Sequence, residues 1–115
     1  MEPFDIVEHG PRMFLLRGEL DMATAEQLSS ALASAVSQGG PITVDISRLT
    51  FIDSTGLHAL ADAAASLTDR GCIIIHGLDG SPSVRKLFDL TQIGKVHNLH
   101  IIPCDVNTPD QNRVE

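Results

Sequence analysis

Two hydroxyls and a carboxylate stand side by side in Asp53-Ser54-Thr55-Gly56, directly ahead of the apolar residue Leu57. Ser, Thr and Asp at such a place supply oxygens that accept bonds from the free N–H groups of a helix N-terminus, worth about 1 kcal/mol. Capping alone satisfies the pattern. A covalent switch at the same spot satisfies it too, because a phosphate on Ser54 adds about −1.5 to −2 charges where helix N–H groups and the dipole favour anions. Such a dianion leaves the fold in place and spoils contact with a partner that presents a carboxylate or an apolar patch, each ~1.4 kcal/mol weakening binding tenfold. Asp53-Ser54-His58 invites comparison with a hydrolase triad. However, Ser54 and His58 lie four apart on one helix, and Ile52 occupies the first glycine position of the G-x-S-x-G nucleophile elbow. His97, His100 and Cys104 lack a fourth ligand nearby in sequence, and an i, i+3 pair in an extended segment points to opposite faces. They read as solvated side chains rather than a metal site.

The elements that position this segment follow from periodicity. Phe4–Glu8 and Met13–Arg17 are strand-like and joined through His9-Gly10-Pro11-Arg12, a hairpin junction. Beyond Gly18-Glu19-Leu20-Asp21, the residues Ala25, Leu28, Leu32, Ala35 and Val36 form a helical stripe. Thr24 with Gln27 resembles a capping box at its start, and Gly39-Gly40-Pro41 stops it. Ile42, Val44 and Ile46 alternate with Thr43, Asp45 and Ser47 as a strand, after which a loop is expected to cross to a helix running from about Ser54 to Asp69. Leu57, Leu60, Ala61, Ala64 and Leu67 should face inward, while Ser54, His58 and Asp62 line the polar face and form a candidate docking surface. Cys72–His76 is a short apolar strand of the kind found in covered parallel sheets. Ser81-Pro82 opens a third helix with Val84, Leu87, Phe88 and Leu90 or Thr91 inside, and Leu99–Pro103 is the last strand.

The expected architecture is α/β: a mixed, mostly parallel sheet of four to five strands with an N-terminal hairpin, packed against helices. Residues 1–104 form one domain and 105–115 a polar tail, in which Thr108-Pro109-Asp110 resembles a helix start. Asp21 follows a strand, at the sheet end where function gathers in open α/β folds, although helix capping accounts for it equally well. Asp45 points away from its apolar neighbours and suits a structural hydrogen bond near the site. If the strands at 72 and 99 are parallel neighbours, Cys72 and Cys104 stand on the order of 15 Å apart, out of disulfide reach.

Composition narrows the function. The net charge is −7, from 15 acidic and 8 basic residues, and Lys and Arg do not cluster, which disfavours nucleic acid and anionic membranes. Trp and Tyr are absent, removing the usual base-stacking platforms. No apolar run approaches a membrane span, and Met1-Glu2-Pro3-Phe4-Asp5 lacks the basic and apolar regions of a secretion signal, so the cytoplasm is the expected location.

Three segments together resemble the STAS-domain anti-sigma-factor antagonists of bacteria. Gly18-Glu19-Leu20-Asp21 with Ala23-Thr24-Ala25 is similar to the family's motif before the first helix. Val44-Asp45-Ile46 with Phe51-Ile52-Asp53-Ser54-Thr55-Gly56-Leu57 is similar to its strand and phosphorylation site, and Val84-Arg85-Lys86-Leu87-Phe88 with Thr91 and Ile93 to its third helix. The resemblance implies a non-enzymatic protein that binds an anti-sigma factor, itself a serine kinase, and so frees a sigma factor. Phosphorylation of Ser54 would switch it off and a PP2C-type phosphatase would reverse this; no cofactor or metal is implied. Thr55 offers a second hydroxyl, and His58 stands where the family often has a small residue. The residues expected at the partner contact are Asp21, Asp53, Ser54, Thr55, Gly56, His58 and Asp62. An alternative within the fold is an unphosphorylated accessory STAS subunit of a transport or lipid-trafficking complex.

Overall fold

Apolar alternation at the start of the chain builds a hairpin. In the computed structural model, which describes residues 3–10, 12–67 and 71–102, strand β1 (Asp5–Glu8) runs antiparallel to β2 (Met13–Leu20). The strands β3 (Pro41–Ile52), β4 (Cys72–His76) and β5 (Leu99–Ile102) then add in order, each parallel to the one before. Helices α1 (Ala25–Gln38), α2 (Ser54–Ser66) and α3 (Pro82–Thr91) make the crossovers. The sheet order β1-β2-β3-β4-β5 never reverses, so right-handed crossovers carry all three helices to one face. Burial agrees. Leu16, Ile42, Val44, Ile46, Ile73, Ile75 and Leu99 are buried, while Leu15, Thr43, Asp45 and Ile74 on the opposite face are half-buried.

The core is one cluster, in which Leu28, Leu32 and Ala35 of α1 meet Leu57, Leu60 and Ala64 of α2 and Val84 and Phe88 of α3. Two details depart from the sequence expectation. Leu90 is 70% exposed and Ala61 only half-buried, because the inner stripes of these helices are narrower than the apolar residues suggest. The larger departure is β3, which continues to Ile52 where a loop was expected. Met13–Leu20 pairs with Thr43–Ile52, and the two extra residues of β3 are absorbed in register shifts. After Ile46 the core positions are Leu49 and Ile52, so the bulges break the period-two pattern that marks a strand in sequence. Pro103, Cys104, the tail from 105 and Asp69 lie outside the described residues, as does any Cys72–Cys104 pairing; Cys72 itself is half-buried at the start of β4.

Polar side chains secure the helix ends opposite the site. Arg12 Nε donates to Pro41 O at 2.6 Å, and its Nη2 donates to Gly40 O at 2.9 Å and Ala35 O at 3.2 Å, fastening the hairpin to the end of α1 and the start of β3. Asn98, with φ of 67°, donates from Nδ2 to Leu67 O at 3.2 Å and Ala64 O at 3.4 Å, closing the end of α2. Arg12→Ala should therefore lower unfolding stability by about 1–3 kcal/mol, the range for hydrogen bonds from a charged donor. Urea titration followed by circular dichroism, suited to a chain without Trp or Tyr, measures this.

Candidate functional site

β2 and β3 end side by side, and the loops leaving them meet. Asp53 N–H donates to Leu20 O at 3.1 Å, continuing the ladder one residue past β3. Asp53 is extended, with φ of −116°, and is the N-cap of α2, so Ser54 takes the first helical position rather than the cap. Asp53 Oδ1 accepts from Gly56 N–H at 3.1 Å and from the Thr55 hydroxyl at 2.5 Å. The backbone N–H groups of Thr55 and Met22 also face this carboxylate and favour its charged form. Burial pushes the Asp53 pKa up, but the Thr55 hydroxyl and the three N–H groups of Gly56, Thr55 and Met22 outweigh it, holding the carboxyl below its ordinary range.

The neighbouring loop is held by Asp21. Its Oδ1 accepts from Ala23 N–H at 3.0 Å and Thr24 N–H at 3.3 Å. Thr24 Oγ1 donates to Glu19 O at 3.0 Å and accepts from Asp21 N–H at 2.9 Å. Thr24 makes no side-chain cap bond, so the expected Thr24–Gln27 capping box does not form; Asp21 serves the turn instead. Gly56 is buried under this junction. A Cβ there would stand 2.7 Å from Leu20 Cγ and 3.0 Å from Ile52 Cγ1, so the bare glycine lets α2 approach the ends of β2 and β3.

The remaining candidates separate by exposure. Thr55 is half-buried and its hydroxyl is engaged by Asp53, whereas Ser54 is exposed and its Oγ has no hydrogen-bond partner among the described residues. His58 and Asp62 are exposed further along the same helix, and no hydrogen bond joins His58 to Ser54 among the described residues. Asp45 accepts from Ser47 N–H at 2.9 Å within β3, a structural bond well upstream of this end of the sheet. His97 and His100 are exposed, and no cluster of three potential metal ligands occurs among the described residues. Sequence reasoning missed Met22, which is 77% exposed although its backbone N–H faces the Asp53 carboxylate; Phe51, at the end of β3, is 43% exposed. The available signal was a large apolar residue between Asp21 and Ala23, outside either apolar stripe.

A family model described as "Mlab, STAS domain" matches residues 9–102. The chain is 28% identical over 92 residues to a Listeria monocytogenes protein named anti-sigma-B factor antagonist, covering 78% of this chain and 79% of that one. Among solved structures it is similar to an anti-sigma factor antagonist from Mycobacterium paratuberculosis, at 24% identity and a TM-score of 0.66, covering 91% of this chain and 87% of that one. It is also similar to the Bacillus cell fate determinant SpoIIAA in its phosphorylated form, at 23% identity and a TM-score of 0.57, covering 91% and 94% of the two chains. No described helix is long and apolar enough to cross a membrane.

Two outcomes follow from the geometry. Gly56→Ala should cost about 1–3 kcal/mol through overpacking against Leu20, read as a lower urea midpoint. Asp53 has a folded pKa below its unfolded one, so its stabilisation is present above the unfolded value and lost as pH falls through the folded value. Asp53→Asn should therefore flatten the loss of stability from about pH 5 downward, checked by urea midpoints across that range.

Proposed function

This chain belongs to the STAS domain family, and we propose that it is an anti-sigma factor antagonist switched off by phosphorylation of Ser54. It binds an anti-sigma factor of the serine-kinase class in the cytoplasm and thereby frees the sigma factor that the anti-sigma factor holds. The bound kinase phosphorylates Ser54 and a PP2C-type phosphatase removes the phosphate. The chain acts by reversible protein–protein contact and is the substrate of an enzyme, not one itself. Asp21, Asp53, Thr55, His58 and Asp62 surround the contact, with Met22 added to them. The names of the relatives support this reading: the Listeria protein is an anti-sigma-B factor antagonist, and SpoIIAA is known in a phosphorylated form.

The observation that carries the reading is the difference between two adjacent hydroxyls. Thr55 is tied to Asp53, and Ser54 is exposed and unengaged by the described residues. A phosphate on Ser54 would add about −1.5 to −2 charges beside an existing carboxylate. Of the N–H groups that ordinarily neutralise an anion at a helix start, that of Gly56 is already bonded to Asp53 and that of Thr55 faces the same carboxylate. The dianion therefore faces outward with little compensation from its own helix. A partner surface fitted to a neutral hydroxyl and to the thioether of Met22 has to desolvate that charge without pairing it, which opposes docking while leaving the buried core untouched.

One observation favours a second reading. The matching family model is described by its STAS domain and by no sigma-factor role, which is compatible with an accessory STAS subunit of a transport or lipid-trafficking complex that is not phosphorylated. Incubation with an anti-sigma factor of the serine-kinase class and ATP separates the two. The switch requires a mass gain of one phosphate mapped to Ser54 and abolished in Ser54→Ala; tight binding with no gain in mass supports the accessory subunit. By calorimetric titration, Ser54→Ala should bind that partner constitutively, Ser54→Glu should bind at least tenfold more weakly at unchanged thermal stability, and Met22→Ser should weaken binding several-fold. Wild-type affinity in Ser54→Glu would contradict the charge-based switch.

A further inference from the structure

Along the C-terminal half of α2, beyond the Ser54 end, helices α1 and α2 leave an apolar groove of about 270 Å3 between them. Its walls are two facing stripes: Ser29, Ala33 and Val36 on α1, and Ala59, Asp62 and Ala63 on α2, with Leu32 beneath. On α1 the spacing is four and three residues, and on α2 Ala59, Ala63 and Ser66 repeat it with Asp62 beside Ala63, so each wall is one helix face about two turns long. The groove exists because these positions carry Ala and Ser, whose side chains are too small to close the space between two helix backbones.

We propose that this groove extends the docking surface and receives a basic amphipathic helix of the protein partner. One large apolar side chain enters the cleft, and a Lys or Arg one turn away pairs with Asp62. The inference rests on the reading of the chain as an anti-sigma factor antagonist. A cavity of roughly 150 Å3 holds a benzene ring, so this groove has room for one or two aliphatic or aromatic side chains. Two of its three serine hydroxyls are already committed: Ser66 Oγ donates to Asp62 O at 2.9 Å and Ser37 Oγ to Ser34 O at 2.9 Å. They return their protons to their own helices and leave apolar walls, poorly suited to a polar small molecule. Asp62 is the charged group at the rim, and no ion pair engages it among the described residues.

Charge complementarity selects the occupant. Neither α1 nor α2 contains Lys or Arg, and their ionised side chains are Glu26 and Asp62. A partner helix with cations on its flanks therefore meets no Lys or Arg on these two helices, whereas an acidic one meets repulsion from Asp62 at the groove. Continuity supplies the rest. Ser54, His58 and Asp62 follow one another at four-residue steps on α2, so a partner helix lying over Ser54 and continuing along α2 reaches the groove. Insertion of an amphipathic helix into an apolar cleft is a recurrent mode of protein recognition.

The test uses the full chain and a purified anti-sigma factor of the serine-kinase class. Ala63→Leu fills the cleft and Asp62→Lys reverses the rim charge; both positions lie at the helix surface, and thermal unfolding checks that each variant is folded. Each should weaken binding at least tenfold, and Asp62→Asn should reduce the salt dependence of the wild-type affinity. Ala63→Leu at wild-type affinity overturns apolar insertion even if Asp62→Lys binds weakly. Wild-type affinity in both, with Ser54→Glu still weakened, overturns the groove and leaves the switch standing. A wild-type chain that does not bind the anti-sigma factor overturns both.

Discussion

The carboxylate of Asp53 is the constraint from which the rest of the site follows. It accepts from the Thr55 hydroxyl and the Gly56 N–H and is faced by the N–H groups of Thr55 and Met22, so two loops that leave adjacent parallel strands converge on it. That convergence is possible because Gly56 has no side chain to hold α2 away from Leu20 and Ile52. With the start of α2 capped by the preceding residue, Ser54 has no structural duty. Its exposure is a consequence of the capping arrangement, and so is the display of Met22, whose backbone is held while its side chain is free.

The bonds that secure the helix ends and the proposed recognition surface thereby lie at opposite ends of the sheet. At the end where the parallel strands begin, Arg12 and Asn98 satisfy carbonyls at the ends of α1 and α2 through contacts distant in sequence. At the other end the bonds are local, made within Glu19–Thr24 and Asp53–Gly56 and joined through the Asp53 carboxylate. A charge added at Ser54 lies outside both sets of bonds and outside the buried cluster formed by the helices and the sheet. This separation gives a modification physical room to change what docks without changing what folds.

Much of this was legible in the chain. Strand and helix periods placed all eight elements in order, because Ile42-Val44-Ile46 and Leu28-Leu32-Ala35 have the unbroken spacing that one buried face imposes. The limits were physical. The bulges in β3 destroy the alternation from Ser47 onward, so a strand looked like a loop. Ser54 and Asp53 are both good caps in isolation. Asp53 is the cap in the structure because it continues the β2–β3 ladder with extended backbone, a fact of pairing that local propensity does not contain. The choice between the Ser54 and Thr55 hydroxyls likewise needed the bond from Thr55 to Asp53. Gly56 was noticed as part of a motif, but its reason, the closeness of Leu20, is tertiary.

The most direct measurement is an amide 1H–15N correlation spectrum of the chain before and after enzymatic phosphorylation, recorded with and without the anti-sigma factor. Phosphorylation is expected to shift resonances of Asp21–Thr24 and Asp53–His58 while the strands and α3 keep theirs, and to remove the broadening that the partner causes in the unmodified chain. Shifts spread across the core, or undiminished broadening by the partner after Ser54 carries its phosphate, would contradict a switch that acts on docking alone.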